Sequence, residues 1–558
     1  MSPWVPDAPT VALRSLRRLV RPLLVTGFFT LVACLNSYPL VRALDSTIGQ
    51  HGDSFFSVWR LAWVAHQIRD DPSRLFDANI FFPESTTLAY SDAMLAGALV
   101  VAPLHWLGVS PLLVYNLTLL AAFVASGVTA YVLVRHLTGN TAAGLLGGLV
   151  FAFAPYRMAH FDHLELQFAF WIPLAVLAWH RAAESDGLAE HLKVGALTSA
   201  QILSSIYYGI FLVTWLGVIT VLWHVRAPRR AARTIAVSLA IPLAVLAIYS
   251  VPYQESLRAV GERPRADVAG YSARPLNFLS APANNWLYGG TSRWGANERH
   301  LFPGAVALAL SVVGLWGTAD PRLRIHGLGL GFALLLALGF NAGLYTLLYD
   351  WVLPFRGLRV PARAGILVLL GIAVLAGAGL ARVLGRARSR AVTSLVATLA
   401  IAASVAEYRT SPELVAVDPR PMALYSSLRE MPDAVVFEWP VTVPGRLDLM
   451  FDVHYMYRST QHWRPLLNGY SGNFPRSYLE LLNEMRSFPH ASALRYLRRR
   501  GATVLVVHER PGSQPSFDDV LTRLHHDPNV DPVALTRDAG LRVVFFRLRT
   551  APLLPSSP

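Results

Sequence analysis

The chain has 558 residues, of which 53% are hydrophobic and 15% charged, and a formal net charge of +14. Soluble domains carry about 25% charged residues, whereas the apolar surplus here, with a mean hydropathy of +0.40, gathers into runs of the roughly 17–25 residues that cross a hydrocarbon core. These figures exclude a soluble globular enzyme, and the single Cys34, inside the first apolar run, excludes a disulfide scaffold and a cysteine-ligated metal.

The positive charge does not point to nucleic acid. The basic residues lie in short loops between apolar runs, where they set orientation and meet anionic headgroups. No finger, Walker or helix-turn-helix spacing accompanies them.

Residues 1–21 contain Arg14, Arg17, Arg18 and Arg21, a basic flank expected to stay cytoplasmic. The first span, about 22–42, then runs outward, as a retained helix rather than a removed signal peptide, and opens a large extracytoplasmic loop over 43–111. Within it Phe55, Val58, Trp59, Ala62, Trp63 and Ala65 recur at helical spacing, with His51, Asp53, Arg60 and Gln67 interspersed. That pattern predicts an amphipathic helix in the membrane interface, its tryptophans at headgroup level. The apolar piece Met94–Leu107 is too short for a comfortable span and is expected to dip into the membrane or rest on it.

Further along, 112–134 crosses inward and 142–156 outward, presenting APYRMAHFDHLELQ (154–167), and 168–180 returns to Arg181. Residues 194–224, interrupted by Gln201, Ser204, Ser205, Tyr207 and Tyr208, read as two short helices turning at the outer face. Span 234–251 leads to a second large outer loop, 252–302. Spans at 303–318, 327–342, 364–381 and 391–406 complete about eleven crossings, so that 22–407 is a polytopic α-helical membrane domain in the cell inner or plasma membrane. The cytoplasmic placement of Arg226–Arg233 and Arg382–Arg390 fits this register. Over 408–558 the composition changes to short apolar strands at 433–440, 501–509 and 541–548, with helices at 423–431 and 490–500. This reads as a small extracytoplasmic α/β domain.

On this topology the polar clusters open on one side. Carboxylates, imidazoles and arginines at a membrane surface suit a phosphate-headed lipid, with an aspartate accepting a proton from a hydroxyl or amine and arginine gripping phosphate oxygens. Asp53, on a Gly-Asp step ahead of the aromatic helix, is the candidate base, with Asp45 as the alternative; helix capping is the ordinary use of such a carboxylate. Asp92 reads equally well as the cap of the Met94 helix. HFDHLELQ puts His160, His163 and Gln167 on one helical face beside Asp162, the second candidate for catalysis. Its HxxH spacing, without the glutamate of a zinc hydrolase, is a weak metal signal, and a hydrogen-bonded cleft lining is the simpler reading. Arg359 and Arg363 in GLRVPAR stand on the outer face against the usual charge bias, which suggests a phosphate ligand; headgroup snorkelling is the alternative. Glu298 in ERHLFPG is a site candidate or an interfacial cap. GLLGG (144–148) has no strand before it and reads as close helix packing rather than a nucleotide loop.

Several blocks carry a family resemblance: HGDSFFSVWRLAWVAHQI (51–68), LFDANIFFPESTTLAYSD (75–92), FAFAPYRMAHFDHLELQFAFWIPL (151–174), ERHLFPG (298–304), PFRGLRVPARAG (354–365) and HWRPLLNGYSG (462–472). The chain resembles the GT-C superfamily of membrane glycosyltransferases, and within it a bacterial branch of large YfhO-like and PMT-like proteins. The resemblance implies sugar transfer from a polyprenyl-phosphate donor to an extracytoplasmic lipid, glycan or protein acceptor. It implies the base at Asp53 and, by position, donor or acceptor contacts at Asp162, His163, Glu298, Arg359 and Arg363; His51, His160 and Tyr207 are substrate-binding candidates from the polar clusters themselves. Several such enzymes carry two neighbouring acidic residues in the first loop, whereas Gly52 and Ser54 flank Asp53 here. A divalent cation such as Mg or Mn is neither required nor ruled out by the residues. The aromatic, arginine-rich 454–472 stretch suits stacking on sugars. Expected partners are the lipid-linked donor and membrane lipids. Two other classes stay open: a lipid-linked sugar flippase, which would place ionisable residues at mid-membrane, and a non-catalytic protein of surface-polysaccharide assembly.

Overall fold

Why this chain forms a bundle is visible where its helices touch. In the computed structural model, a Cβ added at Gly314 would lie 1.9 Å from the Leu375 carbonyl oxygen, and one at Gly379 would lie 1.9 Å from that of Leu310. The helices Ala305–Leu315 and Gly365–Gly385 therefore meet backbone to backbone, which only small residues permit. The same device joins Pro111–Thr138 to Thr141–Phe153: Gly147 rests on Val134, and Gly148 on Phe29 and the Gly127 carbonyl. The GLLGG segment is thus a packing motif. Between those two helices the chain turns on Gly139 at φ +68, and Asn140 caps the second by accepting from the Ala143 N–H.

The structure describes residues 8–549 except 186, 297, 442–449, 512–514 and 539, with side chains from residue 20 onward apart from 450. The side chains of Arg14, Arg17 and Arg18 lie outside the described residues. Among those described, five helices are long and apolar enough to cross a membrane: Pro111–Thr138, Ile206–Trp223, Pro228–Val260, Pro361–Gly385 and Arg390–Glu407. Shorter apolar helices, Val20–Asn36, Leu95–Trp106 and Ala305–Leu315, join them. This is a polytopic helical, membrane-embedded protein. Its centre is Pro361–Gly385, 94% buried along its most apolar stretch. The expected break in the 194–224 run falls at Ser205, between Leu188–Ser204 and Ile206–Trp223.

One expectation is corrected. The helix Gly52–Asp70 does not lie in an interface with its tryptophans at headgroup level; it is buried nearly all round, with Trp59 at 0% and Trp63 at 4% exposure. The indole N–H of Trp59 donates to Asn79 and that of Trp63 to the Leu75 carbonyl. Its polar residues also point inward. Arg60, 1% exposed, donates to Glu165 at 2.9 Å and to the Asp92 carbonyl at 2.6 Å.

The last third of the chain folds over this helix. Strand β1, Thr47–Gly49, pairs antiparallel with β2, Leu414–Ala416, which clamps the segment leading into Gly52–Asp70. Strands β3 (Val436–Trp439), β4 (Val504–His508), β5 (Val530–Asp538) and β6 (Leu541–Leu548) form a sheet of order β3-β4-β6-β5, with β3 parallel to β4 and the remaining pairs antiparallel. Three of these strands match the sequence expectation. The fourth, β5, is a half-exposed edge strand carrying Pro532, which hides its strand character. Backbone bonds from Phe81 and Phe82 to Asn468 and Leu466 tie the first loop to this region.

Candidate active site

The Gly52–Asp70 helix starts at a charged threshold. His51 is its N-cap, and Asp53 stands in its first turn, where the helix dipole favours an anion. The His51 Nδ1 lies 3.2 Å from the Asp53 N–H and 3.3 Å from its Oδ2. A neutral ring accepts from the N–H, and a protonated one donates to the carboxylate. Asp53 Oδ2 also faces His163 Nε2 at 3.1 Å, while Oδ1 accepts from the Tyr470 hydroxyl at 3.0 Å. Burial alone would raise the Asp53 carboxyl, but the charge and hydrogen bonds of His163 and His51 hold it well below the usual carboxylate range. Against the same burial, the Asp53 carboxylate, with Glu298 behind it, raises His163 to about 9. The two thus form an ion pair at neutral pH, and each is still about one-fifth exposed.

From His163 the network continues to Glu298, whose Oε1 is 3.8 Å away. Arg363 grips Glu298 with both arms, Nε to Oε2 at 3.0 Å and Nη2 to Oε1 at 2.5 Å. His160 Nε2 meets Oε2 at 3.0 Å, and its Nδ1 lies 2.9 Å from the Tyr156 carbonyl. Both nitrogens of His160 thus face oxygen acceptors, which fixes the ring between Glu298 and the Tyr156 carbonyl. Burial would raise Glu298, yet Arg363 and the two histidines hold it well below its ordinary value. The Arg363 guanidinium lies 4.7 Å over the Tyr207 ring, and the Tyr207 hydroxyl accepts from the Arg359 N–H at 2.8 Å.

Asp162 sits beside this chain. Its Oδ1 accepts from Ser54 Oγ at 2.7 Å, and Ser54 in turn accepts from Tyr115. Burial raises its carboxyl, so Asp53 and Asp162 are two nearby carboxylates pushed in opposite directions. Gly49 makes room for it, since a Cβ there would fall 1.8 Å from Asp162 Oδ1. Below them Glu165 is paired with Arg60 at 2.9 Å; burial pushes this carboxyl up, and the charges of Arg60, His163 and Arg363 together more than offset it.

The nine residues singled out in the sequence, His51, Asp53, His160, Asp162, His163, Tyr207, Glu298, Arg359 and Arg363, form one contiguous cluster. Asp45 does not join it, being exposed and, among the described residues, bonded only to Ser46. Asp92 caps a different helix from the one expected: its Oδ2 accepts from the Ile206 N–H at 2.7 Å, against 3.4 Å from Oδ1 to Met94. Tyr470 and Ser54 were not singled out. Ser54 directly follows the candidate base, and Tyr470 lies in the HWRPLLNGYSG block, where nothing local signals a partner 417 residues away. Among the described residues no group of three or more His, Cys, Asp or Glu side chains is arranged to hold a metal ion.

A family model described as "Domain of unknown function (DUF6311)" matches residues 61–402, well over half of the chain. The chain belongs to this family. The DUF6311 region takes in His160, Asp162, His163, Tyr207, Glu298, Arg359 and Arg363, while Asp53 stands just before it and Tyr470 beyond it. No curated protein matches this DUF6311 chain. Among solved structures, the crystal structure of ArnT from Cupriavidus metallidurans in the apo state is similar over 96% of this chain and 98% of that one, at 13% sequence identity and a TM-score of 0.48.

Proposed function

We propose that this protein is a GT-C-type glycosyltransferase, of the YfhO-like and PMT-like branch its sequence blocks resemble. It moves a sugar from a polyprenyl-phosphate donor to an extracytoplasmic lipid, glycan or protein acceptor. The observation that carries the reading is Asp53: an ionised carboxylate, about one-fifth exposed, aimed by His163, His51 and Tyr470. The acceptor oxygen attacks the anomeric carbon, the bond from that carbon to the phosphate oxygen breaks, and polyprenyl phosphate leaves with the electron pair. The acceptor proton passes to Asp53. A carboxylate of depressed pKa is a weak base, and it suffices because the hydroxyl becomes strongly acidic as its bond to carbon forms. The leaving phosphate is already an anion and needs no general acid. Direct displacement inverts the anomeric centre.

Positive charge awaits that phosphate. His163 is cationic at neutral pH, and the Arg359 guanidinium, packed 5.0 Å over the Tyr271 ring, has no ion pair among the described residues. Arg363 is fully engaged by Glu298, so in this reading it holds the Glu298–His163–Asp53 chain in place. In the membrane the chain makes about eleven crossings, with a cytoplasmic amino terminus and the region from 408 onward outside. The exposed arginines at 226–233 and 386–390 support that orientation.

The test is transfer from radiolabelled polyprenyl-phosphate sugars to membrane acceptors, in vesicles holding wild type, Asp53→Asn or Asp162→Asn at equal abundance. Loss of product with Asp53→Asn supports the reading. Equal transfer by wild type and Asp53→Asn removes Asp53 from the chemistry, and an absence of transfer from every donor overturns the proposal.

A further inference from the structure

A cleft of about 940 Å³ lies at the far end of the Gly52–Asp70 helix, between that helix, the turn after Leu95–Trp106 and the segments 419–429 and 457–463. Small-molecule sites are typically ~300–1,000 Å³ and combine aromatic walls with a few placed polar groups. Here the Trp463 indole lies flat on the His66 imidazole, with centroids 4.6 Å and planes 7° apart. Trp106, 45% exposed, faces the same space. Between these rings stand Arg69, Asp70 and Arg429, all exposed, and Gln461.

The backbone is bent to present Trp463. Its φ of +59 is in the left-handed region, which non-glycine residues seldom occupy. Its N–H closes on the Ser459 carbonyl just past the helix Met450–Ser459, a place where glycine is unstrained. Residues kept in such conformations cluster at ligand-binding places. A row of rings, Tyr470, Phe56, Trp59, Trp63 and Trp463, with neighbouring centroids 5.6–6.2 Å apart, makes the wall rigid from Asp53 to the cleft.

We propose that this cleft binds a saccharide. A sugar ring has an apolar face of C–H groups that stacks on an indole and an edge of hydroxyls that suits guanidinium and carboxylate groups. A lipid tail would find charged walls there. His66 is more than three helical turns from Asp53, roughly 20 Å at 1.5 Å per residue, so one monosaccharide cannot touch both. The ligand is then the distal part of an oligosaccharide acceptor whose reacting end lies at Asp53. That last identification rests on the transferase reading; saccharide binding does not.

The full chain in nanodiscs of neutral lipid is titrated with cellobiose, chitobiose and an unsaturated hyaluronan disaccharide, followed by tryptophan fluorescence and saturation-transfer NMR. At least one of them binds with millimolar or tighter affinity. Trp463→Ala weakens it about tenfold through loss of the stacking face. Arg69→Ala, on an exposed side chain, weakens it several-fold with the thermal midpoint unchanged, so the test survives if Trp463→Ala folds poorly. Asp53→Asn binds as wild type does, which separates the cleft from the chemistry: lost transfer with intact binding leaves this proposal standing. Absence of binding by all three, binding untouched by Arg69→Ala, or displacement of the sugar by the phospholipid headgroup glycerophosphoglycerol overturns it.

Discussion

Two clusters in this molecule are built from the same residue types and differ in their access to solvent. Around Asp53 a carboxylate is flanked by His163, His51 and Tyr470, with side-chain exposures of 21% for Asp53, 20% for His163 and 50% for His51. In the sheet region Glu438 accepts from Tyr425 at 2.5 Å and from His508 at 2.6 Å, and Glu438 is 0% exposed. Both pair an acid with an imidazole and a phenol. Only the first is partly exposed to solvent. The second joins β3, β4 and the helix Ala423–Ser427 through the one oxygen Oε2, which accepts from both Tyr425 and His508. Constellation alone therefore does not separate the two clusters; access to solvent does.

The sharpest way to break this contrast is to remove each acid in turn. Asp53→Asn keeps size and most hydrogen bonding but cannot accept a proton, so transfer falls by roughly 10²–10⁴-fold, the usual contribution of a general base, at unchanged abundance. Gly49→Ala acts on the same site from behind, because its Cβ and Asp162 Oδ1 cannot share one place. Transfer should drop with it to the extent that the Ser54–Asp162 arrangement matters, and a rate equal to wild type would show that Asp162 is dispensable.

pH tests the open cluster alone. His163 is raised, so its pairing with Asp53 is complete below the ordinary imidazole value and is lost as pH rises through about 9. Asp53 is lowered, so its side of the pair is complete above the ordinary carboxylate value and is lost only in strong acid. Transfer should hold across neutral pH and fall above about 9 in wild type. His163→Gln should be slower and lack that alkaline limb. A wild-type profile flat to pH 10 would remove the imidazolium from the mechanism.

The closed cluster should answer in stability instead. Glu438→Ala leaves Tyr425 and His508 as buried groups without their acceptor, at ~1–3 kcal/mol each, so unfolding becomes easier by roughly 2–6 kcal/mol. Transfer per folded molecule should stay near wild type. A selective loss of rate with stability intact would mean that Glu438 belongs to a second active centre.

How much of this was legible depended on the reach of each contact. Asp53 could be found because a Gly-Asp step before an aromatic helical run is a local signal. So could the convergence of His160, Asp162 and His163, which sit within four residues of one another. Arg363 could be noticed because the expected topology sets it against the usual charge bias, but not its occupation by Glu298, 65 residues earlier. The helix Gly52–Asp70 was misread because Arg60 looked solvent-facing, when its charge is answered inside the protein by Glu165, 105 residues later. Periodicity reports that polar and apolar residues alternate around a helix; it is silent on whether water or another charge meets the polar side.

Asp92 puts that lesson into its smallest measurable form, since it is a buried acid with no ion pair among the described residues. Burial, helped by nearby Glu165, raises its carboxyl to about 7, while its Oδ2 accepts from the Ile206 N–H at the start of the Ile206–Trp223 helix. Because the folded value is the higher one, the fold binds this proton more tightly than the unfolded chain does. Stability then declines as pH rises from the ordinary carboxylate range to about 7. Asp92→Asn keeps an oxygen for Ile206 and has no charge to bury, so it should match wild type in mild acid and exceed it at pH 8. Asp92→Ala loses the cap at both pH values, by about 1 kcal/mol. Denaturation midpoints of the three proteins at pH 5 and pH 8 check this. If Asp92→Asn were the less stable at pH 8, the carboxylate would be ionised and needed, and Arg60, which now spends its two hydrogen-bonding arms on Glu165 and the Asp92 carbonyl, would have to be its counter-ion.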